Sequence, residues 1–455
     1  MNDKFLNYLG VSCSNICWRK AYNNLFRVQF KLYKSVLSAD YSLAYSFQSL
    51  LWTSTSVYLI AIREVTQIDS LRRIPGLDGK VYLDFSERFE LLQFLKKNFS
   101  SWVPAKLKKV VITRKDGSFF CLNINSLSDR CWQNVVKYSL LPAHEAFFSH
   151  TCFGFRLYKN IFDLQKLVLL NINETNFPSQ KRILIFDLSS CYKQFNYGYL
   201  LNKIFISRSL KLIIFRFLQF GFRAEFVNIS DSLNLNSILA NILFDGIHLL
   251  NYCFRFGSNL IFFLKPIDNE KFILKKLDLF LYEAGFNFNY ESYLLNAKTG
   301  FYFLDWYFYA NLPFDSFCIP SFDNYQSFLR RVKRIINNSN YGAKIKSLKL
   351  FPVVRDWCYY NRFTNLEYLK SLLYFIKKRT FRIFNSESKQ DRYSSKVLIN
   401  KCFSFNFDDL ALIRSENFFT TKHVSFWLDD FFFSTQFNFC CVHCGIRMTL
   451  GSLKL

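Results

Sequence analysis

Half of this chain's excess positive charge sits in less than a fifth of its length. Residues 321–405 hold 18 Lys/Arg against 5 Asp/Glu, a net of +13, while the whole 455-residue chain carries +25. Residues 181–315 hold 14 bases and 11 acids, a net of +3, and residues 406–455 hold 4 and 5, a net of −1. Within the basic block, Phe328, Leu329, Val332, Ile335 and Ile336 recur at helical spacing with Arg330, Arg331, Lys333 and Arg334 between them. That pattern makes amphipathic helices whose polar faces are cationic. The chain must therefore fold with a nearly neutral region over 181–315 joined to a basic helical domain, and self-repulsion on that scale calls for a polyanionic partner. Nucleic acid and an anionic membrane surface both satisfy the charge.

Four regions separate by pattern. Residues 1–180 mix helical segments with a β-rich piece over 108–122, where Lys115-Asp116-Gly117 reads as a hairpin turn. Residues 181–315 hold strand-like runs at 182–186 and 252–264 with helical segments between. Residues 321–405 read as helices, and residues 406–455 form an aromatic tail. Residues 42–62 lack charge and approach spanning length, but Gln48, Thr53, Thr55 and several Ser interrupt them. Leu43, Phe47, Leu50, Leu51, Ser54 and Tyr58 fall at the spacing of a buried helical face, so no membrane span is expected.

Phe (56) and Tyr (26) are abundant while Gly (14) and Pro (8) are scarce, as mutational bias in an AT-rich genome would produce. The 13 Cys are scattered and no secretory leader opens the sequence, which argues for a reducing compartment. Near the end, Cys440-Cys441-Val442-His443-Cys444 carries a Cys-x-x-Cys, yet no second pair follows to complete a zinc site, and no metal or cofactor is expected.

Asp187 closes the run Ile183-Leu184-Ile185-Phe186. A carboxylate at a strand end can hold Mg²⁺ rigidly or simply cap a turn. Its neighbours bear on the choice. Arg73 to Gly79 (Arg-Ile-Pro-Gly-Leu-Asp-Gly), Arg114 to Ser118, Asp129-Arg130 with Gln133, Cys152-Phe153-Gly154-Phe155-Arg156 with Asp163, Leu239 to Ile242, Ala284-Gly285-Phe286 and Phe301 to Leu304 follow in order. Then comes Leu350 to Arg362, Leu-Phe-Pro-Val-Val-Arg-Asp-Trp-Cys-Tyr-Tyr-Asn-Arg. In this series, over residues 45–400, the chain resembles the group II intron maturases, whose reverse-transcriptase motifs and domain X signature these fragments match. The resemblance implies an α+β fold: fingers and palm of a right-hand polymerase, then a helical maturase (X, or thumb) domain.

Two departures change what the resemblance implies. The family's Pro-Gln-Gly-Gly is Ser230-Asp231-Ser232-Leu233 here, and its Tyr-Ala-Asp-Asp hairpin aligns with Phe256-Gly257-Ser258-Asn259. Two-metal phosphoryl transfer needs clustered carboxylates. With Ser258 and Asn259 neutral, Asp187 is vestigial and catalytic residues are none, unless Asp245 or Asp268 stands in. The expected function is an intron maturase that binds and folds group II, or group II-derived, intron RNA. An active RNA-directed DNA polymerase of a mobile intron is the alternative. Arg330, Arg331, Lys333, Arg334, Lys344, Lys346, Arg355, Arg362, Lys377, Lys378, Arg379 and Arg382 are the expected RNA-binding residues, with Arg355 and Arg362 on one helical face. Other splicing factors, or a second copy of the chain, are further candidate partners. Composition and motif decay together are similar to plastid-encoded maturase-like proteins of euglenoid algae, which implies a plastid location, with the mitochondrion as the alternative.

Overall fold

The computed structural model describes residues 18–403 except 82, 114–118, 157–158, 174–181, 189–194, 220–234, 251, 265–267, 287–290, 312–314 and 388–391, and adds residues 439–440 and 447–448. In chain order the helices are α1 (Trp18–Leu37), α2 (Tyr41–Thr53), α3 (Thr55–Arg63), α4 (Phe85–Asn98), α5 (Leu127–Phe147), α6 (Ile161–Asn173), α7 (Tyr197–Lys203), α8 (Arg208–Gln219), α9 (Leu235–Leu243), α10 (Glu270–Glu283), α11 (Phe322–Ile336), α12 (Ala343–Tyr360), α13 (Leu366–Glu387) and α14 (Arg392–Phe403). The strands are β1 (Lys108–Thr113), β2 (Phe119–Ile124), β3 (Arg182–Asp187), β4 (Cys253–Phe256), β5 (Asn259–Leu264), β6 (Glu291–Asn296), β7 (Phe301–Phe303), β8 (Trp306–Asn311), β9 (Asp315–Pro320), and the pair β10 (Phe439–Cys440) and β11 (Arg447–Met448). This is an α+β protein. Two units are built from interleaved stretches of chain, Met1–Tyr158 with Asp187–Ser258 and Lys271–Glu291, and Lys159–Phe186 with Asn259–Glu270 and Ser292–Leu455. The sequence pattern had suggested contiguous blocks instead.

The first unit is organised around α5, which packs against α1, α2, α3 and α9. Trp132, Val135, Val136 and Leu140 on α5 are completely buried. Ser126 caps the helix, its hydroxyl accepting from Asp129 N at 3.1 Å. Two of the sequence motifs meet at this end. Leu127 N donates to the Asp78 carboxylate (2.9 Å), and the Arg130 guanidinium donates to Ile74 O (3.2 Å). A side chain at Gly76 would meet Asn125 O at 2.7 Å, which explains a glycine there. The Asp129 carboxylate, in turn, accepts from Trp102 Nε1 (2.8 Å) and Ala105 N (3.1 Å). The Pro-Gly-Leu-Asp-Gly and Asp-Arg signatures thus stitch a loop onto a helix N-terminus.

The uncharged stretch forms two helices, α2 and α3, that break at Ser54. Among the described residues no helix is long and apolar enough to cross a membrane. The expected buried face holds at Leu51 and Tyr58 and is corrected at Leu43 and Leu50. Leu43 and Leu50 are exposed, while Ala44, Gln48 and Leu51 turn inward, the Gln48 amide donating to Phe205 O at 2.9 Å. A polar residue held through its amide nitrogen occupies the core side, so hydrophobicity alone misplaced the stripe. β1 and β2 pair antiparallel from Lys108↔Ile124 to Thr113↔Phe119, as expected of a hairpin; its turn, 114–118, lies outside the described residues.

His144, near the end of α5, is buried, and its Nε2 accepts from Phe205 N at 3.1 Å. Burial, helped by the charge of Lys211, pushes its pKa down to about 3. Below its ordinary value of about 6.5 the unfolded chain takes up a proton that the folded one refuses, so stability is lost as pH falls. His144→Gln keeps an acceptor and removes the titration. Between roughly pH 6.5 and 5 the wild type should lose about 2 kcal/mol more than this variant in urea unfolding. Parallel losses would mean that His144 protonates in the folded state.

In the second unit β3 lies between β5 and β6, and Phe186 meets Phe262 edge-on with ring centroids 5.5 Å apart. β7, β8 and β9 form an antiparallel meander, and α6 packs on β9. Residues 321–405 are helical as expected. Phe328, Val332 and Ile336 of α11 bury one stripe against Leu350, Val354 and Trp357 of α12 and Leu369, Leu373 and Ile376 of α13. Each such side chain contributes about 1.5–3 kcal/mol relative to exposure. α11 stops at Ile336, and Gly342 stands at the N-cap of α12.

Candidate functional site

Four of the sequence fragments meet in the first unit around one tight turn. β4 ends at Phe256, Gly257 adopts φ +60°, and Asn259 opens β5. Leu188 N donates to Ser258 O at 3.0 Å, which sets Asp187, the last residue of β3, beside the turn. The segment 151–155 runs along β4: Arg255 N donates to Thr151 O (3.1 Å) and Phe153 N to Arg255 O (2.8 Å). Gly154 presses on the turn so closely that a Cβ there would lie 2.2 Å from Gly257 N. From below, the buried Arg255 guanidinium donates to Gly257 O (3.2 Å), Asn241 Oδ1 (2.9 Å) and Cys152 Sγ (2.9 Å). Asn241 Nδ2 completes the frame by donating to Gly154 O at 2.8 Å.

The turn itself carries the neutral Ser258 and Asn259 and no carboxylate, whereas two-metal chemistry needs clustered carboxylates. Asp268 is poorly sited to replace them. Its carbonyl accepts from Arg182 at 2.7 Å, and Arg182 begins β3 while Asp187 ends it. The two ends of a six-residue strand are separated by about 17 Å. Asp245 lies in a small recess with Thr151, His248 and Arg255, where burial raises its pKa against the pull of His248, Lys203 and Arg255. Among the described residues no group of three or more His, Cys, Asp or Glu could hold a metal ion. Of the C-terminal cluster only Cys440 is described, paired with Arg447; Cys441, His443 and Cys444 lie outside the described residues, as do Ser230 to Leu233.

The basic residues divide into two sets. Arg330, Arg331, Lys333 and Arg334 on α11, Lys344 and Arg355 on α12, and Lys378, Arg379 and Arg382 on α13 are exposed; Lys377 is half-buried. Lys346 and Arg362 are corrections. Lys346 is fully buried at 0% exposure, because it stands three residues after Ala343 and four before Leu350 on the inward stripe of α12. Arg362 follows Asn361, which ends the helix, so it does not share a helical face with Arg355. Its guanidinium lies 3.9 Å from the centre of the Phe162 ring and 4.2 Å from that of Tyr359, and the residue is only 7% exposed. Arg355 points outward and pairs with Asp356 at 2.9 Å. Trp357 stacks on Phe328 (4.2 Å between centroids), and Tyr360 on Trp306 (5.1 Å).

A family model, the N-terminal domain of reverse transcriptase, matches residues 14–95. Maturase-like protein 1 of Euglena gracilis is 40% identical over 443 residues, covering 95% of this chain and 97% of that protein. Maturase-like protein 1 of Euglena longa is 41% identical over the same shares. The chain belongs to the euglenoid maturase-like proteins. Both units of this maturase-like chain fall within a similarity of that length.

Sequence reasoning on the maturase-like chain took in Asn241 only as a motif member and missed its contact with Arg255. It also passed over Tyr374 and Phe375, which stand exposed among the cations of α13. Their signal was available: buried Leu369, Leu373 and Ile376 fix the inward stripe and leave positions 374 and 375 outside it.

Proposed function

We propose that this maturase-like chain is an RNA-binding splicing factor for a group II, or group II-derived, intron, with fingers and palm retained as scaffold and polymerase chemistry lost. The observation that carries the reading is the turn at Gly257-Ser258. The Leu188–Ser258 hydrogen bond sets it beside Asp187, and neither Ser258 nor Asn259 can supply a carboxylate. A palm built this way keeps a sheet and one metal-binding side chain, too little negative charge to hold a Mg²⁺ pair. The exposed cations of α11, α12 and α13 supply what a structured RNA needs from its partner, charge neutralisation on a shape-matched surface. The catalytic metals then belong to the RNA, and the protein stabilises the fold that positions them. The plastid is the proposed location, and other splicing factors are candidate partners.

Incubated with a primed RNA template, deoxynucleotides and Mg²⁺, the purified chain should give no extension, and Asp187→Asn should leave RNA binding unchanged. Extension abolished by Asp187→Asn would overturn the loss of polymerase chemistry and favour the mobile-intron polymerase. Crosslinking in organelle extract followed by sequencing of the bound RNA should enrich one intron or a small set. Even coverage of all transcripts would reduce the protein to a general RNA binder.

A further inference from the structure

α13 buries Leu369, Leu373, Ile376 and Phe384 on one side. On the other, a solvated helix would ordinarily show charged or polar residues along its whole length. Here the outward side of the first half carries three exposed aromatics, Tyr368, Tyr374 and Phe375, at 41%, 61% and 68% exposure, beside exposed Glu367, Lys370 and Ser371. It continues with the exposed cations Lys378, Arg379 and Arg382. Tyr374 and Phe375 touch edge-on, with ring centroids 5.9 Å apart. Lys378 stands one turn after Tyr374, and Arg379 one turn after Phe375, so each ring has a cation about 6 Å further along the helix axis.

We infer that the outward face of α13 is a stacking platform for unpaired RNA bases, with Tyr374 and Phe375 taking the bases and Lys378, Arg379 and Arg382 taking the adjoining phosphates. The inference rests on the RNA-binding reading above and narrows it to single-stranded loops or bulges. Charge selects this occupant. A protein partner docking through the two rings would have to bring acids for three neighbouring cations, whereas a nucleotide presents a π-face and an anion in one unit. Within a paired helix the base faces are already stacked on one another, so exposed rings can only engage bases that are splayed out. The two rings hold nothing in the core, so removing them leaves the buried stripe of α13 intact.

The test uses the full chain and two RNAs, an unstructured single strand carrying 2-aminopurine and a fully paired hairpin without a free loop. Tyr374→Ala with Phe375→Ala should weaken the single strand by about tenfold or more and abolish the fluorescence quenching of the stacked base. Its salt dependence should stay as in the wild type, because the cations remain, and affinity for the paired hairpin should not change. Wild-type binding to both RNAs with no effect of the double variant would overturn this inference alone. If the wild type bound neither RNA, the RNA-binding reading itself would fall. A Tyr374→Leu, Phe375→Leu pair that quenches and binds like the wild type would make the face an apolar docking surface and remove the stacking role.

Discussion

Replacing Arg330, Arg331, Lys333 and Arg334 by Gln should flatten the salt dependence of RNA binding more than any other change of similar size. All four are exposed on α11, opposite the stripe formed by Phe328, Val332 and Ile336. Gln has nearly the helix propensity of Arg and Lys, so the helix should persist. The loss of two cations from its last turn costs about 2 kcal/mol at most. Each phosphate neutralised by such a side chain contributes about 0.7 to 0.9 to the slope of log affinity against log salt. If all four make contact, the slope falls by about 3 to 3.6. Between roughly 50 and 200 mM salt, the wild type should then lose about 50- to 150-fold more affinity than the variant. Filter binding of the crosslinked intron across that salt range measures both slopes at once. Equal slopes would show that α11 does not face the RNA, and would move the interface to the cations of α12 and α13.

Much of this arrangement was legible in the sequence because it rests on short-range periodicity. The β-rich run over 108–122 with its Lys115-Asp116-Gly117 gave the hairpin, the run ending at Asp187 gave β3, and the spacing of Phe328, Val332 and Ile336 gave both the helix and its cationic back. What failed depends on three-dimensional context. Lys346 reads as one more cation until Ala343, Ser347 and Leu350 are seen to share its face. Arg362 looks like a helical residue two turns beyond Arg355, but the helix ends just before it, and the aromatic rings of Phe162 and Phe363 receive it. The interleaving of the two units was invisible for a different reason. β3 and β5 look alike in sequence wherever they pack, and nothing local says that residues 159–186 belong with residues 292 onward. The candidate turn was readable as four separate fragments. Their convergence through Arg255 and Asn241 is a long-range fact, linking positions more than eighty residues apart.

Gly154→Ala tests that convergence directly, and its expected effect on stability is the largest in the first unit. The added Cβ would sit 2.2 Å from Gly257 N and 3.1 Å from Gly257 Cα. These are backbone atoms, which cannot swing aside as the end of a side chain can. Relief requires the 151–155 segment and the turn to separate by about an ångström, the difference between this contact and ordinary van der Waals distance. That movement strains the Phe153–Arg255 and Asn241–Gly154 hydrogen bonds, both in buried surroundings. Overpacking of a rigid site costs about 1–3 kcal/mol, and each buried polar group left unsatisfied adds about 1–3 more. A loss of about 3 kcal/mol or greater is therefore expected in denaturant unfolding of the first unit. Gly342→Ala provides the contrast: nothing lies within 4 Å of its Cβ position and its φ of −71° suits any residue, so it should cost less than about 1 kcal/mol. The α11 cations lie in the other unit, and their contribution to the RNA salt slope should survive Gly154→Ala wherever the protein remains folded. A Gly154→Ala midpoint equal to that of the wild type would mean the segment does not press on the turn, and the convergence of segment 151–155 on Gly257 would fall.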